Sequence, residues 1–160
     1  MPVAYAHHEV QIRGYVHEVV VGCGAEVIAR HARSYEKADM VFDPMHYLQL
    51  LERKVGALDQ AAPMRGWDLP GEFATIHRLL EARMGKAGKR EYVQVLRLLE
   101  TFEMDHVHGA IRQALDLGAI GYDAVKHLVL CRIERRPPRL DLDGPLSQQR
   151  LFRPGRLRTP

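Results

Sequence analysis

The chain has 160 residues, 46% apolar and 27% charged, with a formal net charge of +3, which is ordinary globular composition with a mild basic excess. Its two cysteines, Cys23 and Cys131, exclude a disulfide framework, and no run of roughly 18 apolar residues exists to span a bilayer. Met1-Pro2 opens no basic-then-apolar leader, so a cytoplasmic protein with no membrane partner is expected.

The first apolar pattern is VQIRGYVHEVVV over 10–21. Val10 and Ile12, a break at Gly14, then Val16 and Val19 to Val21 predict a strand, a bend and a second strand. Gly22-Cys23-Gly24-Ala25 reads as a tight turn because glycine tolerates positive φ. Glu26 to His31 predicts another strand that Arg33, Ser34 and Tyr35 extend. The module over 1–42 is therefore an antiparallel meander of two or three short strands with unpaired edges. So little sheet must lean on helices, on another chain or on further strands.

Asp43-Pro44 opens a helix: Asp caps, and proline fits a first turn where no N–H is needed. Met45, Leu48 and Leu51 follow at helical spacing, Gly56 ends the element, and 57–67 is a connector. A helical domain is expected over 68–136. Its first helix opens at Asp68-Leu69-Pro70 and carries the stripe Phe73, Ile76, Leu79 and Leu80 up to Met84. Gly85 to Gly88 reads as a short basic turn. A helix from Lys89 to Phe102 then buries Tyr92, Val95, Leu96, Leu99 and Phe102. The next runs from Asp105 to Leu117 on Val107, Ile111, Ala114 and Leu115, with Gly118 as its expected C-cap. Asp123 opens the last, with Val125, Leu128, Val129 and Ile133 inward, until Arg136-Pro137-Pro138 stops it. Residues 137–160 are rich in Pro, Gly and Arg and read as a basic, disordered tail. The fold class is α+β: an incomplete small antiparallel barrel or meander, then a small helical domain.

No set of residues points to catalysis. Carboxylates on the expected helices, from Glu72 to Asp123, alternate with basic residues as solvated faces do. No phosphate-loop motif, HExxH or serine elbow occurs. His127 and Cys131 share a helical face, yet no local residue completes a zinc set, so neither metal nor cofactor is expected. The remaining signal is basic. Residues 1–60 hold six Lys/Arg against eight Asp/Glu, residues 61–131 nine of each, and residues 132–160 eight against three. Three clusters are candidates for nucleic-acid backbone contact, because the arginine fork suits phosphate. Arg30, Arg33 and Lys37 end the β module; Arg83, Lys86, Lys89 and Arg90 surround the Gly85–Gly88 turn; Arg132, Arg135, Arg136 and Arg139 run off the last helix.

Several ordered blocks resemble the C-terminal region of IS21-family transposases of the IstA type. They are VQIRGYVHEVVV (10–21), ARHARSYEKADMVFDPMHYLQLLERKVGAL (29–58), AAPMRGWDLP (61–70), REYVQVLRLLE (90–100) and IRQALDLGAIGYDAVKHLVLCRIERRPPRLDL (111–142). The resemblance covers about Pro2 to Leu142. It implies the end of a post-catalytic β-barrel followed by a helical extension. The family's helix-turn-helix and Mg²⁺-dependent DDE core would precede Met1, and no family catalytic residue maps onto this sequence. It further implies DNA, as terminal inverted repeats, for partner, with full-length transposase subunits or the IstB-type AAA+ helper as protein partners. Two alternatives remain: a helical protein-interaction module without direct DNA binding, and an inactive remnant of a transposase gene.

Overall fold

The computed structural model describes residues 1–135. Three strands, β1 (Gln11–Gly14), β2 (Glu18–Cys23) and β3 (Glu26–Ala32), form an open antiparallel sheet in the order β1-β2-β3. Five α-helices follow: α1 (Leu48–Arg53), α2 (Gly71–Met84), α3 (Lys86–Arg97), α4 (Met104–Leu117) and α5 (Tyr122–Glu134). The expected α+β order of a small sheet, then helices, is the order observed.

The sheet follows its sequence in strand number and order, but β2 runs through Gly22 and Cys23 and β3 ends at Ala32, without the expected extension through Arg33, Ser34 and Tyr35. β1 and β2 pair from Gln11↔Gly22 to Gly14↔Val19, leaving Tyr15 to His17 as the bend. β2 and β3 are joined by the two residues Gly24-Ala25, and Gly24 takes a φ of +59°. Positive φ at the first position of a two-residue loop is where glycine is wanted, since it matches the twist of the strands. The pairing slips between Val21 and Gly22, from Val21↔Ala29 to Gly22↔Val27, so Ile28 is an extra residue on β3. The amino-terminal segment is tied to the sheet. Tyr5 Oη donates to Glu26, Cys23 Sγ to the Glu9 carbonyl, and the Met1 amine lies 3.3 Å from His31 Nε2.

The helical part departs from expectation in four places. Asp43 does cap, accepting from the Met45 N–H at 3.0 Å, but the first turn Pro44–Tyr47 is 3-10 and the α-helix ends at Arg53 rather than Gly56. The connector is not irregular, because Val55–Gln60 and Ala62–Met64 are 3-10 turns, the first of which buries Val55 and Leu58. The basic turn shrinks to one residue. Gly85, with φ at +55°, reverses the chain and α3 begins at Lys86, so Gly88 lies inside the helix instead of ending a loop. A Cβ on Gly88 would stand 2.0 Å from the Leu80 carbonyl oxygen, so the missing side chain is what lets α2 and α3 close to backbone contact. α3 stops at Arg97, and 3-10 geometry over Leu98–Glu100 carries the chain towards Phe102.

One apolar cluster unites the helices. Phe73, Ile76 and Leu80 of α2 meet Val93, Val95 and Leu96 of α3, Val107 and Ile111 of α4, and Val125, Leu128 and Val129 of α5. Leu48, Leu51 and Leu58 close it from the α1 side, while Trp67, Leu69 and Phe102 are half-buried against it. Complete burial of each such aliphatic side chain contributes roughly 1.5–3 kcal/mol before entropy. Leu79 and Ile133, expected inward, are exposed. Gly118 is left-handed at the end of α4 as expected, and Arg135 takes that conformation after α5. The expected proline stop at Pro137-Pro138 and the tail over 137–160 lie outside the described residues.

Candidate nucleic-acid interface

Cross-strand register places cations on the sheet. Val20 pairs with Arg13 on one side and Arg30 on the other, so all three side chains share one face. Val20 is buried between the two arginines, whose aliphatic stems suit such cover while their heads reach water. Arg30 Nη1 meets Glu18 Oε1 at 2.9 Å, which offsets part of its charge. Arg33 is fixed more firmly. Its Nη1 donates to the Tyr15 carbonyl at 2.9 Å and its guanidinium lies 4.8 Å from the Tyr35 ring centre. Tyr35 Oη in turn donates to the Val16 carbonyl at 2.8 Å. The end of the sheet thus carries an arginine and a tyrosine stacked on one another, with both polar ends held by the β1–β2 bend. Lys37 follows in an exposed turn.

The second expected cluster is divided by the fold. Lys89 is drawn inward: its Nζ bonds to Asp59 Oδ2 and lies 3.1 Å from Glu81 Oε1. Those two carboxylates hold its ammonium above the usual lysine range. Lys89 is therefore a strap between α3 and the turn at Asp59, while Arg83, Lys86 and Arg90 remain exposed. From the third cluster, Arg132 of α5 lies against α4, with its guanidinium 2.4–2.8 Å from where a Gly109 Cβ would stand. Arg135 follows α5, and Arg136 and Arg139 lie outside the described residues.

Three cations escape sequence reasoning. Arg13 sits alone in a short exposed strand and acquires its neighbour only through register. Arg53 and Arg97 are far apart in sequence, yet both line an open polar groove with Gln49, Glu52 and Arg90. No local spacing signals that convergence. A second concavity, about 350 Å³, is mainly apolar and is bordered by Trp67, Leu69, Phe73, His77 and Tyr92. There His77 stacks on Tyr92 with ring centres 4.3 Å apart. Burial lowers the His77 pKa and pushes the Tyr92 phenol up to about 12.

Among the described residues, no group of three or more His, Cys, Asp or Glu side chains could hold a metal ion, so no DDE-like carboxylate cluster is present there. His127 Nε2 and Cys131 Sγ do approach, at 3.4 Å, without a third ligand among those residues. No described helix is long and apolar enough to cross a membrane.

The sheet and its amino-terminal strap coincide with a known module, since the family described as Mu transposase, C-terminal domain, matches residues 1–43. Similarity to named proteins runs much further. Transposases for insertion sequences IS1326/IS1353 from Pseudomonas aeruginosa and Shigella flexneri are each 30% identical over 143 residues, which is 86% of this chain and 27% of theirs. A transposase of Aminobacter aminovorans is 30% identical over 155 residues, 92% of this chain and 30% of its own. The chain is related to Mu- and IS1326-type transposases. It spans between 27% and 30% of the length of these relatives, so the similarity takes in both the sheet and the helical bundle but only that share of a whole transposase. No solved structure matches.

Proposed function

We propose that this chain is a non-catalytic C-terminal portion of an IS21-family, IstA-type transposase that holds the backbone of the element's DNA ends. The observation that carries the reading is the cationic sheet: Arg13 and Arg30 flank Val20 on one face, and Arg33 stands braced on Tyr35 on the other face, beside Gly14 and the β1–β2 bend. Guanidinium groups on a sheet suit phosphate oxygens without reading sequence. By resemblance, the DNA is a terminal inverted repeat. Binding of a terminal-repeat duplex, followed by fluorescence anisotropy across a salt series, tests the reading. Affinity should fall steeply with salt. Each neutralised phosphate adds about 0.9 to the slope of log K against log salt, so the double variant Arg13→Ala, Arg30→Ala should lower that slope by roughly 2. Binding that ignores salt, or robust Mg²⁺-dependent strand transfer by the chain alone, would defeat the proposal.

A second reading, contact with transposase subunits or with the IstB-type AAA+ helper, has its own support. β1 is an edge strand with all four residues exposed, and Ile12 and Val16 stand 69% and 66% exposed on and beside it. An unpaired strand edge bearing exposed apolar side chains favours pairing with another chain. Co-sedimentation with full-length transposase that Ile12→Lys abolishes separates this reading from the first.

A further inference from the structure

Where α1 packs on α3, the helical bundle carries a polar groove of about 540 Å³, lined by Gln49, Glu52, Arg53, Arg90 and Arg97. One wall is internally satisfied. Arg97 Nη1 donates to Glu52 at 2.6 Å, and its Nε and Nη2 donate to Glu100 at 3.1–3.3 Å. Gln94 donates to the other oxygen of Glu52 at 2.9 Å. Hydrogen bonds from Gln94 and Arg97 hold the Glu52 carboxyl below its usual range, so it stays ionised. All three nitrogens of Arg97 are thus held by its two carboxylates, and it frames the groove.

The other two arginines differ. Arg53 ends α1 and Arg90 sits on α3, both exposed. Neither makes a hydrogen bond or ion pair with any described residue, although the charge of Arg90 reaches Glu52. Two guanidinium forks border one groove without a carboxylate of their own. The basic character also continues past it. Lys86 lies one helical turn before Arg90 on the same face of α3, and Arg83 is in the last turn of α2 just before the Gly85 reversal. A single acidic side chain would answer one of these cations. A line of evenly spaced negative charges answers Arg53, Arg90 and Lys86 together.

We propose that the α1–α3 groove is a phosphate-binding site, with Arg53 and Arg90 as its forks, that takes the sugar-phosphate backbone of DNA at a place separate from the sheet. The assignment rests on the DNA-binding reading above. Arg97, Glu52, Gln94 and Glu100 act as the positioning frame, and Lys86 continues the track along α3. Planarity matters here: a guanidinium grips two phosphate oxygens, whereas an ammonium offers only a point charge.

The test uses the full chain and a terminal-repeat duplex. Arg53→Ala with Arg90→Ala should lower the salt slope by roughly 2. Arg78→Ala with Arg112→Ala, removing equal charge from exposed positions on α2 and α4, should lower it by less than half as much. Arg53→Lys with Arg90→Lys should keep most of the slope while weakening binding several-fold. In the wild-type chain, the Nε–Hε resonances of Arg53 and Arg90 should shift on DNA addition while those of Arg78 and Arg112 stay in place. A wild type that binds DNA with an unchanged slope in the Arg53, Arg90 alanine variant overturns the groove alone. A wild type with no salt-dependent DNA binding overturns the groove and the broader reading together. Shifts of the Arg53 and Arg90 resonances by a polyglutamate peptide and not by DNA would reassign the groove to a protein partner and also overturn the proposal.

Discussion

Two glycines in helices face opposite consequences if given a side chain. At Gly88 the obstacle is backbone, since the Leu80 carbonyl oxygen and carbon would lie 2.0 and 2.4 Å from the new Cβ. Backbone cannot swing aside, so Gly88→Ala must push α2 from α3 and should cost about 1–3 kcal/mol, read as a lower urea midpoint at unchanged m-value. At Gly109 the neighbour is the end of a flexible side chain, the Arg132 guanidinium. Arg132 can move, and alanine is worth up to about 1 kcal/mol over glycine inside a helix, so Gly109→Ala should be neutral or mildly stabilising. If both variants lose stability equally, helix closeness is not what Gly88 serves. Histidines supply the pH dependence at this scale. His77, His31 and His46 each have pKa values lowered chiefly by burial from an ordinary 6.5. A lowered pKa means that the unfolded chain takes up protons first. Their contribution is complete above pH 6.5 and falls away as the pH drops through their folded values. Stability should therefore decline as the pH falls below the ordinary histidine value of 6.5, and His77→Phe, which keeps a ring against Tyr92, should flatten that decline.

At the scale of elements, α3 is the centre and its substitutions separate core from surface. Leu96 is fully buried between helices, so Leu96→Ala should cost about 2–5 kcal/mol, whereas Leu79→Ala on the exposed side of α2 should cost under about 0.5 kcal/mol. Thermal melts of the two variants check this, and comparable losses would mean that Leu79 packs inward after all. The Leu79 position also shows what sequence can and cannot reveal. Phe73, Ile76 and Leu80 repeat at helical spacing, and the helix is legible from that alone. Leu79 fits the same stripe, but the width of the buried face depends on how α3 and α4 lie against α2, which periodicity does not carry. The Gly85–Gly88 stretch misleads for a related reason. Two glycines in four residues look like a turn, yet only Gly85 has positive φ, and Gly88 answers to a carbonyl on the preceding helix. The strands are easier, since Gly14 and Gly24 mark real breaks. On the site side, Arg30 and Arg33 are visible as neighbours in sequence. Arg13 and Arg53 need a register and a helix crossing to acquire partners.

Across the whole molecule, the apolar cluster contains no residue of the sheet. Val20, Val21 and Ala29 of the sheet are buried without joining it. What links the two parts is narrow: His31 meets His46 edge-to-face at 5.5 Å, Phe42 meets Tyr47 at 5.9 Å, and residues Pro2 to Ala4 border a cleft with Met45 and Gln49. None of these contacts fills the helical core. A chain of residues 43–135 keeps the Asp43 cap and every member of that core. It should unfold in one cooperative urea transition, with a midpoint close to that of the full chain and an m-value reduced in proportion to the surface removed. Residues 1–42 alone should not fold, because three short strands burying three small side chains cannot offset their ordering entropy. Loss of cooperativity in the longer piece would mean that the sheet stabilises the bundle through the His31–His46 junction despite its small area. In that case a change at that junction, such as His46→Ala in the full chain, should lower the midpoint of the helices as well as that of the sheet; if instead the bundle stands alone, His46→Ala should leave the helical transition unmoved and loosen only the strands.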